Sequence, residues 1–290
     1  MAATLLASMT VFLCGWVLPA AASENEAKDS LLVVNKSTNE LAYFKDGELV
    51  RVFPVATGKS EELTPEGAFP IVNKIKNRPY YKEKVPGGDP ANPLGRRWLG
   101  LRVGETEGTT YAIHGNNNPD SIGKYVSAGC IRMHNDDIEW LFEQVLVGTK
   151  VVVTSSELSF EAIAAKHRYD LLSPFDAALS VNGEAYPLEK PLLLYRGVAY
   201  IPLRACFELL EGIVHWDPET EQVTSTVGEQ TIIHRPGTAE ATLNGELVAL
   251  GAASRNIDGT VMIPLRDIAT LTGWTVHWDA ATRTIYMNRL

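Results

Sequence analysis

Three separate blocks in the C-terminal half of this chain return at one common offset of 62 positions, as from Pro202 to Pro264. Ile201-Pro202-Leu203-Arg204 recurs as Ile263-Pro264-Leu265-Arg266. Val214-His215-Trp216-Asp217 recurs as Val276-His277-Trp278-Asp279, and Val181-Asn182-Gly183-Glu184 as Leu243-Asn244-Gly245-Glu246. A shared offset across separate blocks means that one supersecondary unit has been duplicated, which confines this half to two copies of one small fold. Each copy reads as an Asn-Gly hairpin, a strand, a short helix opening at Pro202 or Pro264, and a closing hairpin. The prediction is an α+β domain of two ββαββ-like repeats over residues 177–290. Duplication also assigns individual residues. Cys206 aligns with Ile268, which makes it a packing residue, and Arg204 and Arg266 are expected to pair with Asp217 and Asp279 inside their own units. His215 and His277 each adjoin a tryptophan in a strand that the repeated fold has to fill, so core and surface packing explains them better than metal binding.

At 290 residues and 45% hydrophobic, the chain has room for a second domain ahead of the repeats. Residues 4–22 are apolar and end in Leu18-Pro19-Ala20-Ala21-Ala22-Ser23, a small-residue run that suits cleavage after Ala22 or Ser23, although no Lys or Arg precedes the apolar stretch. Residues 1–23 are therefore expected to be a signal peptide, and the protein to be exported. Cleavage removes Cys14 and leaves Cys130 and Cys206. With Cys206 assigned to a core, Cys130 is a lone thiol outside the cytosol, where an idle thiol is an oxidation liability. The net charge of −9 argues against nucleic-acid binding. One stretch runs against that balance: Lys74, Lys76, Arg78, Lys82, Lys84, Arg96 and Arg97 face only Glu83 and Asp89. It reads equally as an attractor of an acidic ligand and as a solvated face.

Residues 30–154 read as a mainly β domain. Apolar runs at Leu31 to Asn35, Leu41 to Lys45 and Leu49 to Ala56 flank the turn Asp46-Gly47, a strong hairpin signal. Further turns fall at Thr64-Pro65-Glu66-Gly67, Pro86-Gly87-Gly88-Asp89-Pro90 and Asn92-Pro93-Leu94-Gly95. One main helix is predicted after Asn135, its positive end suited by Asp136, Asp137 and Glu139 and its apolar face formed by Ile138, Leu141, Phe142 and Val145. The run Val147 to Val153 closes the domain with a strand. Residues 155–176 read as a linker with some helix.

Chemistry concentrates between Tyr111 and Met133. Tyr111-Ala112-Ile113-His114 is a strand that delivers His114 to its end, where a loop rich in Gly, Asn and Pro begins. Ser127-Ala128-Gly129-Cys130 then turns sharply into Cys130-Ile131-Arg132-Met133, and strand alternation puts Cys130 and Arg132 on one face. A thiol needs a neighbour that takes its proton, and an imidazole does this. Gly129, lacking a Cβ, lets turn amides approach a substrate carbonyl and stabilise an oxyanion. Arg132 either binds a substrate carboxylate or closes an internal salt bridge. A zinc site from His114, Cys130 and His134 lacks a fourth group and the usual compact spacing.

The stretch Ile113 to Leu141, with Thr64-Pro65-Glu66-Gly67-Ala68-Phe69 and Asn92 to Leu101, resembles the YkuD-type L,D-transpeptidase catalytic domain. The family's His-Gly element falls on His114-Gly115 and its Ser-x-Gly-Cys-x-Arg element on Ser127, Gly129, Cys130 and Arg132. The resemblance implies a β-rich sandwich or barrel without a cofactor, with Cys130 as nucleophile and His114 as base. Ser127 and Gly129 would form the oxyanion turn, and Arg132, Gly115, Asn117 and Trp98 the substrate-binding residues. It also implies the partners, donor and acceptor stem peptides of peptidoglycan, joined in a 3→3 cross-link through a cysteine thioester. Ala128 stands where this family most often has histidine, which leaves His114 as the sole imidazole base. The repeats resemble the copper amine oxidase N-terminal-like domain, which implies association with the cell wall and not copper chemistry. The expected location is the extracytoplasmic envelope of a Gram-positive cell. The alternatives are an L,D-carboxypeptidase acting on the same stems, and a catalytically silent wall-binding protein.

Overall fold

A computed structural model describes residues 27–289, so the expected signal peptide lies outside the described residues. The described residues divide into two compact units, one ending at Tyr169 and the other beginning at Asp170. The first is built from β1 (Ser30–Asn35), β2 (Glu40–Lys45), β3 (Glu48–Pro54), β4 (Thr57–Gly58), β5 (Gly67–Lys76), β6 (Arg97–Leu101), β7 (Tyr111–His114), β8 (Tyr125–Ser127), β9 (Ile131–Arg132) and β10 (Lys150–Thr154). Eight of these form one curled sheet in the order β3-β2-β1-β10-β5-β6-β7-β9, and β4 pairs with β8 beside it.

The expected hairpin is present. Asp46 and Gly47 both take positive φ, 53° and 87°, as a two-residue turn matching strand twist requires. All six residues of β1 are buried, which fits its central place between β2 and β10. One face, carrying Leu32 and Val34, packs with Leu41, Tyr43, Val151 and Val153 against helix α1 (Asn135–Gln144). That helix buries Ile138, Leu141 and Phe142, the face predicted from its spacing. Each such side chain removed from water contributes about 1.5–3 kcal/mol before entropy is counted. Helix α2 (Phe160–Lys166), capped by the Ser159 hydroxyl, packs on β1.

The predicted linker is partly structured. Tyr169 accepts a hydrogen bond from the Gly47 amide and donates one to the Asp29 carbonyl, which ties residues up to 169 to the first unit. Ser173–Pro174 forms a strand on Leu193–Tyr195 within the second unit.

In the second unit the two repeats interlock. Strand Val198–Pro202 pairs antiparallel with Thr260–Pro264, Ile201 lying opposite Ile263, Tyr200 opposite Pro264 and Pro202 opposite Met262. These pairings exchange under the 62-residue offset, so a local two-fold passes between the isoleucines. Ala178–Val181, the first strand of the first repeat, pairs parallel with Thr284–Asn288, the last of the second. Both Asn-Gly turns form, with φ of 50° and 87° at Asn182 and Gly183 and of 53° and 87° at Asn244 and Gly245. Helix α3 (Leu203–Leu209) opens directly after Pro202, whereas α4 (Asp267–Thr272) starts three residues after Pro264. At the start of α4 the Asp267 carboxylate accepts from the Gly251 amide. Cys206 and Ile268 are both fully buried in one core.

The expected pairing of Arg204 with Asp217 does not form. Arg204 bridges Glu208 at 3.6 Å and donates to the Val214 carbonyl, while Asp217 accepts from the Glu219 amide and the Thr220 hydroxyl. Asp279 accepts in the same way from the Ala281 amide. An aspartate that begins a turn satisfies the amides beyond it, and its carboxylate is then committed.

Candidate active site

Sheet register brings the chemistry together. β7 and β9 run parallel with Ile113 opposite Ile131 and His114 opposite Arg132. Ile113, Ile131 and Met133 lie in the core, so His114, Arg132 and Cys130, one residue before β9, share the other face. Cys130 then stands diagonal to His114 on that shared face.

Two further contacts fix the imidazole. Its Nδ1 lies 2.6 Å from the Gly115 carbonyl, a bond in which Nδ1–H donates and Nε2 is left as the basic nitrogen. Trp98, opposite His114 in the β6–β7 ladder, stacks on the ring at 5.5 Å with an interplanar angle of 13°. Trp98 is only 2% exposed and its indole N–H donates to the Gly108 carbonyl. Its ring supports His114 from one side. Burial is also the main reason that the imidazole pKa falls to about 4; the Gly115 carbonyl opposes this, Arg132 and Arg78 add to it, and the Leu94 backbone opposes it weakly. His114 is therefore a neutral base throughout the neutral range.

Cys130 is free and partly exposed, its Sγ 3.4 Å from the Thr110 carbonyl. Burial pushes the thiol up, and a hydrogen bond from the Ala112 backbone with the charges of Arg78 and Arg132 pulls it partly back. No acidic side chain pairs with Arg132 among the described residues, which leaves its guanidinium available to an anion. Ala128 is exposed.

The loop around the site is held by groups whose role was not read from the sequence. The Asn116 amide donates to Asn135 Oδ1, and Asn135 Nδ2 donates back to the Asn116 carbonyl, at 3.0 and 2.9 Å. Asn117 Nδ2 donates to the Ala91 carbonyl, so the residue expected to bind substrate pins a neighbouring loop. Gly115 is needed for close approach, since a Cβ there would meet Asn135 Oδ1 at 2.2 Å. The motif Thr64-Pro65-Glu66-Gly67 acts at a distance in sequence. Thr64 Oγ1 accepts from the Gly58 amide and donates to the Gly129 carbonyl at 3.1 Å, which clamps the residue before the thiol. Buried Lys36 supports it from behind, bonded to the Thr64 carbonyl and paired with Glu66 at 3.0 Å. The hydroxyl's role was visible only once the fold placed position 64 against position 129.

Ser127 Oγ accepts from the Gly129 amide at 3.0 Å, so both residues shape the turn and this amide is engaged. Gly129 has φ of 134°, and a Cβ on it would meet the Leu63 carbonyl at 2.5 Å. Gly129→Ala is expected to displace the thiol and slow acylation by roughly 100-fold, the scale of an ångström's misplacement, with a loss of stability of about 1–3 kcal/mol. Acylation kinetics beside thermal unfolding of the variant check this.

The L,D-transpeptidase catalytic domain family, YkuD, matches residues 29–153, and the copper amine oxidase N-terminal domain matches residues 180–287. Among curated proteins, YqjB of Bacillus subtilis, provisionally named an L,D-transpeptidase, is 49% identical over 140 residues, spanning 48% of this chain and 80% of its own length. The similarly named YkuD of Bacillus licheniformis is 42% identical over 42% of this chain and 64% of its own length. For ErfK/SrfK of Escherichia coli the identity is 34%, over 44% of this chain and 45% of that protein. A solved L,D-transpeptidase from Mycobacterium smegmatis is 26% identical over 43% of this chain and 58% of its own, with a TM-score of 0.31. The chain belongs to the YkuD family of L,D-transpeptidases, with its catalytic domain at residues 29–153 followed by a copper amine oxidase N-terminal domain at 180–287.

Proposed function

We propose that this protein is an exported peptidoglycan L,D-transpeptidase that forms 3→3 cross-links through a thioester on Cys130. The observation that carries the reading is that Cys130, His114 and Arg132, which pairs with no acidic side chain among the described residues, share one sheet face. Cys130 Sγ attacks the carbonyl preceding the terminal D-residue of a donor stem as His114 takes the thiol proton. The C–N bond breaks, the proton passes from His114 to the leaving amine, and the acyl group stays on sulfur. The side-chain amine of a second stem then attacks the thioester; the S–C bond breaks, an amide forms, and the thiol recovers a proton. Amides of the turn beyond Gly129 stabilise the oxyanion in both steps, and Arg132 holds a stem carboxylate.

Defined tetrapeptide stems incubated with the purified enzyme and resolved by mass spectrometry test the reading. A cross-linked dimer is the expected product. Loss of the terminal residue alone, with acceptor present, would make the enzyme an L,D-carboxypeptidase, and intact stems would defeat both. Export is tested by N-terminal sequencing of the mature protein, expected to begin after Ala22 or Ser23.

We assign wall association to the C-terminal unit. It contains a groove of about 1130 Å³ whose lining includes Tyr186, Leu188, Arg204, Trp216, Asn256 and Thr260. Trp216 is 42% exposed there, an aromatic face open to a ligand. In a Cys130→Ala background, Trp216→Ala is expected to weaken sedimentation with purified sacculi about tenfold, the scale of one interface anchor. Unchanged sedimentation would remove the groove from this role.

A further inference from the structure

The basic stretch between Lys74 and Arg97 resolves into groups with different partners. Lys76 pairs with Glu143 at 3.1 Å and Arg96 with Glu139 at 3.6 Å, while Lys74 donates to the Val145 carbonyl. Arg78 differs from these. Its guanidinium carbon lies 3.8 Å from the Trp98 ring centroid, and Nη2 donates to the Thr109 carbonyl at 3.1 Å. The next carbonyl along, that of Thr110, is the one contacted by Cys130 Sγ at 3.4 Å. Two successive carbonyls therefore carry the contacts of a guanidinium and of the thiol.

The placement is built. The Arg78 carbonyl accepts from Asn92 Nδ2 at 3.0 Å, and Asn77, in left-handed conformation with φ of 53°, donates its amide to the Arg96 carbonyl. Packing at Gly87 is so close that a Cβ there would fall 1.8 Å from the Asn77 carbonyl oxygen. Guanidinium on an indole face is a favourable arrangement worth about 0.5–2 kcal/mol, which offsets part of the cost of half-burying the charge. No carboxylate in the described residues pairs with Arg78, which contacts an aromatic ring and a neutral carbonyl. A partly desolvated cation without a counter-ion, beside a thiol, is arranged for negative charge that appears during reaction.

We infer that Arg78 is a cation that, alongside Arg132, stabilises the Cys130 thiolate, a charge that neutral His114 and exposed Ala128 do not supply. The assignment rests on Cys130 being the nucleophile of the proposed function, but not on the identity of the substrate. Its mutual influence with the thiol agrees: the two charges favour each other, and Arg78 together with Arg132 disfavours an imidazolium at His114. In the reaction the thiol proton still goes to His114. Arg78 lowers the energy of the sulfur anion that forms and gives no proton away.

The test is the pH dependence of Cys130 alkylation by iodoacetamide, followed by peptide mapping in the full-length protein. Arg78→Gln is expected to move the thiol titration upward by about one unit and slow alkylation at pH 7 about tenfold, with the rate on the high-pH plateau unchanged. Arg78→Lys keeps a cation and is expected to recover most of that shift, which also separates charge from packing should the glutamine variant fold poorly. A titration superimposable on wild type would overturn the inference, and so would an equal slowing at every pH, the mark of a merely structural role. Iodoacetamide needs no stem peptide, so a failed cross-linking assay beside a shifted titration would count against the proposed substrate and leave the role of Arg78 standing.

Discussion

Cys130→Ala is expected to abolish covalent capture of a carbapenem, while wild type gains a single adduct by intact mass. The strained lactam is an acyl donor. Its C–N bond opens, sulfur bonds to the carbonyl carbon, and the proton ends on nitrogen, leaving a thioester. Two observations make the expected loss complete. Cys206, the other thiol among the described residues, is fully buried in an apolar core that drives its pKa far above the usual thiol range, so it offers no thiolate. The turn before Cys130, by contrast, is bonded through Ser127, Gly129 and Thr64, which hold the partly exposed sulfur at the sheet edge. Peptide mapping assigns the adduct and separates it from any reaction at Cys14, which lies outside the described residues. An equal adduct on Cys130→Ala would show that the thiol is not the nucleophile. Cys130→Ser keeps the shape of the site but replaces a readily ionised sulfur by a hydroxyl, and its turnover is expected to fall by a factor on the order of 1,000 or more.

How much of this was legible in the sequence depends on the range of the interactions concerned. The Asp46-Gly47 and Asn-Gly hairpins, the apolar face of α1 and the alternation that separates Cys130 and Arg132 from Ile131 and Met133 are local, and local pattern suffices to find them. The 62-residue offset revealed duplication, and it placed Cys206 in a core through its alignment with Ile268. It did not reveal that each repeat is completed by strands of the other, because pairing partners are chosen by the assembled sheet. Side-chain partners within the fold were hidden for a related reason: the stacking of Trp98 on His114 and the bond of Asn117 to the Ala91 carbonyl join residues that only the folded sheet brings together. Arg78 sat inside a charge run with two equally good readings. Only the folded contacts of Trp98 and Thr109 distinguish it from Lys76 and Arg96, which find ordinary acidic partners.

His114→Gln tests the other half of the pair through two independent readouts. The first is the rate of acylation. General-base assistance is worth about 100- to 10,000-fold, and that is the expected loss. The shape of the pH profile should change as well. With the imidazole neutral above a pKa of about 4 and the thiol pushed above its ordinary range, base-assisted attack by wild type runs on a flat plateau through neutrality. The variant retains only attack by thiolate, so its rate should climb tenfold per pH unit over the same interval. Parallel profiles would remove His114 as the base. The second readout is stability. A histidine buried neutral binds its proton in the unfolded chain from about pH 6.5 downward but in the folded one only near 4. Between those values the unfolded state holds more protons, so the contribution of His114 to stability is complete above about 6.5 and is lost as pH falls through the folded pKa. The loss amounts to about 3 kcal/mol, and Gln, which does not titrate, should abolish it. Urea unfolding of the first unit at pH 7 and pH 4 measures the difference, with the transition of the repeat unit resolved separately because the two need not unfold together. Buried and neutral, His114 thus carries one signature in rate and one in stability, and both follow from its place under Trp98.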